Sequence, residues 1–173
     1  MKISKSLYLY STKISHLDLR TVISEDLHTY NNLDLKSVIA TLVLNVCNIQ
    51  NSPLLEDIVI GDMVKKVILS GIPKLRNLHI AATNVEKISI LGSTVLSSFK
   101  GLPEHVGEFA ISCKFVTATD YENFPKTVDI LHIRNSIHVN LPMLKKLVNR
   151  LSSSRRLIKR LIISAMKLSR SAR

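Results

Sequence analysis

Tryptophan is absent from the 173-residue chain, and aromatic residues of all kinds make up only 5% of it. That excludes a small-molecule pocket walled by aromatic rings and leaves the core to leucine, isoleucine and valine. The apolar share is nonetheless 46%, which excludes wholesale disorder and allows one domain with a sizeable core. Two cysteines, Cys47 and Cys113, form no CxxC and lie near no histidine pair with metal-ligand spacing. A disulfide framework and a zinc site are thereby excluded, and buried free thiols in a reducing compartment are expected. Five glycines supply no phosphate-cradling loop. No apolar run approaches the roughly 18 residues of a membrane span, and MKISKSLYLYSTK has no secretory h-region. The expected location is the cytoplasm, or the host cytoplasm if the chain is viral.

Acidic residues are missing from one region altogether. Residues 142–173 hold ten lysines and arginines and no acid, whereas residues 1–141 hold 14 against 13. The net charge of +11 therefore belongs almost wholly to the C-terminal segment. Unopposed charge on that scale favours an anionic partner.

What the chain does have is repetition. VEKISI at 85–90 shares a skeleton with VGEFAI at 106–111 and VDILHI at 128–133, a β-branched residue followed by apolar residues at the fourth and sixth places. Extended backwards, the skeleton gives copies beginning at Ile14, Ile39, Val64, Val85, Val106 and Val128, at spacings of 25, 25, 21, 21 and 22. The closing apolar–x–apolar alternation is the mark of a strand buried on one face. One such strand per period implies stacked coils that share a parallel sheet. Segments 33–35, 58–60 and 78–80 are expected to form a second, shorter row of strands. The prediction is a mainly β or α/β solenoid of about six coils over residues 1–141, with Leu17, Leu42, Val67, Ile88, Phe109 and Leu131 side by side.

The skeleton resembles that of the leucine-rich-repeat superfamily over roughly residues 14–138. SSFKGLPEHVGEFAISCKF is similar to the short repeats of phage and bacterial proteins and to the FNIP-type variant. The resemblance implies a curved solenoid that recognises a partner on its sheet, in a phage-encoded or bacterial protein. It also implies an asparagine or cysteine five residues after the first strand apolar. In this register those places are Val22, Cys47, Ile72, Ser93, Lys114 and Ser136, of which Cys47 alone conforms.

After Pro142 the pattern changes. Leu144, Leu147, Val148 and Leu151, then Leu157, Ile158, Leu161, Ile162, Ala165 and Leu168, fall at helical spacing. Residues 142–173 are predicted to form a basic amphipathic helix that caps the solenoid. Its outward charges, Lys145, Lys146, Arg150, Arg155, Arg156, Lys159, Arg160 and Lys167, are candidates for contact with RNA, a ribosome or another anionic surface.

No catalytic constellation stands out. Glu104-His105 belongs to no HExxH, there is no G-x-S-x-G, and His79 and His132 occupy outward places within L-H-I. Cys113 beside Lys114 lacks a patterned base. No metal or cofactor is expected, and the reading is of a binding protein rather than an enzyme. The candidate partner surface is the exposed side of the sheet, at Arg20, Val43, Lys66, Ile68, Lys87, Leu91, His132 and Arg134. A protein partner on that face, RNA or a ribosome on the basic segment, and a structural place in an assembly such as a virion are the three expectations.

Overall fold

A computed structural model describes residues 2–93, 96, 100–112, 123–135, 149 and 157–165. The chain winds as a parallel β-solenoid of about five turns. Eight longer strands form one sheet, namely β1 (Lys2–Tyr10), β3 (Val22–Tyr30), β5 (Val43–Gln50), β7 (Lys66–Ser70), β9 (Asn84–Leu91), β10 (His105–Ser112), β11 (Thr127–Asn135) and β12 (Leu157–Ala165). Four short strands, β2 (His16–Asp18), β4 (Ser37–Ala40), β6 (Asp57–Ile60) and β8 (Asn77–Ile80), make a second sheet. Every pairing is parallel. Among the described residues no helix is long and apolar enough to cross a membrane.

From β1 to β9 the chain alternates between the two sheets, because a strand with one apolar face must bury it against another layer. From β9 to β12 no small-sheet strand intervenes among the described residues. Inner rungs of the large sheet run from half-buried Leu7 through Leu27, Cys47, Val67, Ile88, Phe109 and Leu131, and Leu161 on the last strand continues the register while exposed. Those of the small sheet include Val38, Ile58 and Leu78. Leu35, Leu55 and Leu75 close the core at the turns. In each of those turns the leucine N–H donates to the carbonyl three residues back, on Asn32, Ser52 and Ile72. Fully burying one such aliphatic side chain contributes about 1.5–3 kcal/mol, so the aliphatic stack is the main source of stability.

The turn after β1, β3, β5, β7 and β9 repeats as well. Ser11, Asn31, Asn51, Gly71 and Gly92 all have positive φ, between 48° and 76°. Glycine reaches that region without a Cβ penalty, and asparagine tolerates it better than most residues. Here the Asn51 side-chain amide also donates to Asn31 Oδ1 at 3.1 Å. One residue on, the fully buried Asn32 locks two coils together. Its Oδ1 accepts from the Thr12 N–H (2.8 Å) and Oγ1 (2.6 Å), and its Nδ2 donates to the carbonyls of Leu9 and Tyr30.

The rung expected from the repeat is present from Val67 through Ile88 and Phe109 to Leu131. Its first two members are corrected. Leu17 lies in β2 of the small sheet and Leu42 in the turn before β5, and Leu27 and Cys47 hold their places. Two features hid the true register. Ser24, fully buried and bonded through Oγ to the Asp26 carbonyl at 2.6 Å, occupies the place a β-branched residue takes elsewhere. Strand β5 then carries one extra residue, a β-bulge opposite Ser24–Asp26. The true interval is therefore 20 residues in this part of the chain, and Cys47 is a rung residue rather than a turn residue. Strands β6 and β8 include the expected 58–60 and 78–80, but the row's member in the second coil is 37–40, not 33–35.

The helix expected over 157–165 is instead strand β12, paired in register with β11. Ile158, Leu161 and Ile163 repeat the spacing of Val128, Leu131 and Ile133 at an offset of 30 residues. Isoleucines at 158, 162 and 163 are stiff at χ1 and suit a pleated surface that has a neighbour to pair with. The rest of the expected cap, 142–148, 150–156 and 166–173, lies outside the described residues, as does Cys113.

Candidate functional site

The outer face of the large sheet is built from side chains that alternate with the buried rungs, so the register that fixes the core also fixes the face. Three rows cross it. The first runs Ser6, Asp26, Val46, Lys66, Lys87, Glu108, Ile130, Arg160. The second runs Tyr8, His28, Asn48, Ile68, Ser89, Ala110, His132, Ile162. The third begins Tyr10, Tyr30, Gln50, Ser70, Leu91 and resumes with Ser112 and Arg134.

Of the residues expected on this face, Lys66, Ile68, Lys87, Leu91, His132 and Arg134 share it. Two do not. Val43 is buried at 1% exposure, because the bulge in β5 turns it into the core. Arg20 sits in the turn after β2, where its guanidinium grips the Asp18 carboxylate at 2.6 Å. That contact holds the Asp18 carboxyl below its ordinary value and raises Arg20.

Midway along the face, Glu108 collects two basic neighbours. Lys87 Nζ lies 2.9 Å and His132 Nε2 3.5 Å from the same carboxylate oxygen. Lys66 reaches Glu86 at 3.7 Å. Ile68 in the second row, opposite Ser89, and Leu91 in the third, opposite Ser70, are half-buried. The middle of the face thus carries two half-buried aliphatic side chains, with the paired charges concentrated in the first row. Of the basic segment, Lys159 pairs with Asp129 at 2.7 Å and Arg160 is exposed beside Ile130. Lys145, Lys146, Arg150, Arg155, Arg156 and Lys167 lie outside the described residues.

A shallow groove of about 440 Å³ opens where β9, β10 and β11 begin, between Glu86, Asp129 and His105. Gly107 lines it and lets the neighbouring coil come close, since an added Cβ would lie 2.6 Å from the Glu86 carbonyl oxygen. Three of its charged or polar groups are engaged between coils, Glu86 with Lys66, Asp129 with Lys159, and His105 with Thr127.

The end of the face nearest β1 was missed by the sequence reading. Tyr8 stacks on His28 with ring centroids 4.7 Å apart, and Tyr10 on Tyr30 at 5.1 Å. Asn48 Nδ2 donates to the Tyr30 hydroxyl at 2.8 Å, and Gln50 Nε2 to Asn48 Oδ1 at 3.0 Å. Removal from water raises the Tyr30 phenol above its ordinary pKa, with Tyr10 and Tyr8 adding to the shift. The signal was present in the sequence. SKSLYLY at 4–10 and SEDLHTY at 24–30 share serine, leucine and tyrosine at an offset of 20 residues.

No protein-family model, curated protein or solved structure matches this chain.

Proposed function

We propose that the chain is a non-enzymatic recognition module that binds a protein partner across the outer face of its large sheet. The observation that carries this reading is the face itself. Half-buried Ile68 and Leu91, in the second and third rows, share it with the charges of Lys66, Lys87 and Glu108 in the first and His132 in the second, a mixture of apolar and charged groups of the kind that recognition surfaces use. The charges there pair with one another across coils, which suits a surface held in one geometry rather than a group poised for proton transfer. A relation to the leucine-rich-repeat superfamily belongs to the same proposal. Asn32 supports it, standing five residues after rung residue Leu27 and binding the turn backbone.

The test is Ile68→Glu, with Leu91→Glu beside it. Both side chains point outward, so circular dichroism and the urea midpoint should stay near those of the parent. Capture of cross-linked partners, read by mass spectrometry, should drop at least tenfold. A folded Ile68→Glu variant that retains every partner refutes the assignment of the face.

A second reading rests on one separate observation, the concentration of ten basic residues and no acid in 142–173. It assigns RNA or ribosome binding to that segment, with steep salt dependence as its signature.

A further inference from the structure

We infer that the β1 end of the large sheet carries a second site, a platform for a neutral, extended oligosaccharide. Tyr8 and Tyr10 are separated along one strand, their rings 6.2 Å apart and within 5° of parallel. Each is backed on one side by the next coil, Tyr8 by His28 and Tyr10 by Tyr30. Strand β1 ends the sheet among the described residues, and no described strand lies against the other ring faces. Tyr8 is 53% and Tyr10 59% exposed, and among the described residues the other large exposed hydrophobics are aliphatic, Leu33, Met63, Leu157 and Leu161.

The backing layer is fixed as well as flat. Tyr30 is held by Asn48, and Asn48 by Gln50, so planar groups succeed one another in both rows. A ligand stacking on Tyr8 and Tyr10 therefore meets two rings that are already aligned, with little ordering left to do on binding.

Chemistry selects the class of ligand. The negative face of an aromatic ring attracts the polarised C–H bonds on one side of a pyranose, and dispersion adds across the contact. Hydroxyls at the rim find the Tyr8 and Tyr10 phenols beside them. Among the face positions of β1 and β3 from Ser6 onward, the one carboxylate is Asp26 and there is no lysine or arginine. Asp26 is positioned by Ser6 Oγ at 3.2 Å and by Asn45 Nδ2 at 3.1 Å. Its negative charge receives hydroxyl donors and repels phosphate. Single-stranded nucleic acid pairs base stacking with a positive groove, and the outward positions Ser6, Tyr8, Tyr10, Asp26, His28 and Tyr30 supply no lysine or arginine for one. Two rings at one level along a straight strand suit a flat β-1,4-linked chain better than a helical α-linked one.

The probe is cellohexaose, with maltohexaose and hexauridylate as the other arms, titrated by calorimetry and by proton spectra of the tyrosine rings. Cellohexaose should bind and shift the Tyr8 and Tyr10 resonances, with maltohexaose at least tenfold weaker. Tyr8→Ala and Tyr10→Ala should each weaken cellohexaose at least tenfold with an unchanged urea midpoint, and Tyr8→Phe should keep most of the affinity. Ile68→Glu should leave cellohexaose binding intact, which separates this site from the protein-binding middle of the face. The inference is overturned if cellohexaose fails to bind at millimolar concentration, or if both alanine variants bind it as the parent does. It is equally overturned if hexauridylate alone shifts the rings, or if these rings prove to be covered by a second copy in a dimer that Tyr8→Ala dissolves in sedimentation.

Discussion

Asn32 and Cys47 show how differently two buried residues serve the same coil. Asn32 is a polar group with its bonds supplied, two accepted and two donated, and it ties the first turn to the second. Cys47 is a rung residue between Leu27 and Val67, with no exposure. Burial pushes its thiol up to about 12 from an ordinary value of 9.0, because the thiolate cannot be solvated there. The consequence for stability has a definite sign. The unfolded chain loses this proton as pH rises through its ordinary value and the folded chain holds it, so stability is unaffected below about pH 9 and falls from there toward about pH 12. A Cys113→Ser chain should lose more stability between pH 8 and pH 11 than the same chain carrying Cys47→Val, as read by urea midpoints. Iodoacetamide at pH 8 should alkylate Cys47 only after denaturant is added.

Among the elements, β12 tests the architecture most directly. Its pairing puts Ile162 beside His132 on neighbouring parallel strands. Adjacent strands lie about 4.8 Å apart, within the Cα separation that a disulfide spans. In a chain with Cys47 and Cys113 replaced by serine or valine, His132→Cys with Ile162→Cys should therefore close an intramolecular disulfide on mild oxidation. Moving the second cysteine to position 163 should not, since neighbouring positions on a strand face opposite sides. Non-reducing peptide mapping reads the result, and a helical 157–165 segment would give neither pattern. The sequence disclosed the strands from β7 to β11 because each has apolar residues where the skeleton requires them. It concealed β3 and β5, where Ser24 replaces a β-branched residue and the bulge shifts the count by one. It concealed β12 because an isoleucine-rich stretch with arginine between apolar pairs satisfies helical spacing equally well. Only the neighbouring coil, supplying backbone partners, decides between them. The candidate face was legible wherever the register was, from Lys66 to Arg134, and the tyrosine end was lost with the first two coils.

Across the whole molecule, each coil is supported by the coil before and the coil after it, and stability is close to a sum of such nearest-neighbour terms. Interior coils have two neighbours, whereas β1 ends the sheet on one side and β12 on the other among the described residues. Hydrogen exchange followed by mass spectrometry should therefore show the slowest amides in β5, β7 and β9, and faster exchange in β1 and β12. Uniform protection from end to end would contradict the neighbour-sum picture and indicate one indivisible unit.

The run of left-handed turn residues, Ser11, Asn31, Asn51 and Gly71, recurs every 20 residues and marks equivalent points on successive coils. A genetic deletion or duplication of one such interval rejoins the backbone at a matching point. A one-residue slip within a strand instead turns its inner side chains outward, unless a bulge or a turn absorbs it as in β5. In this stretch evolution can lengthen or shorten the protein in whole windings, much as a thread is advanced by complete revolutions.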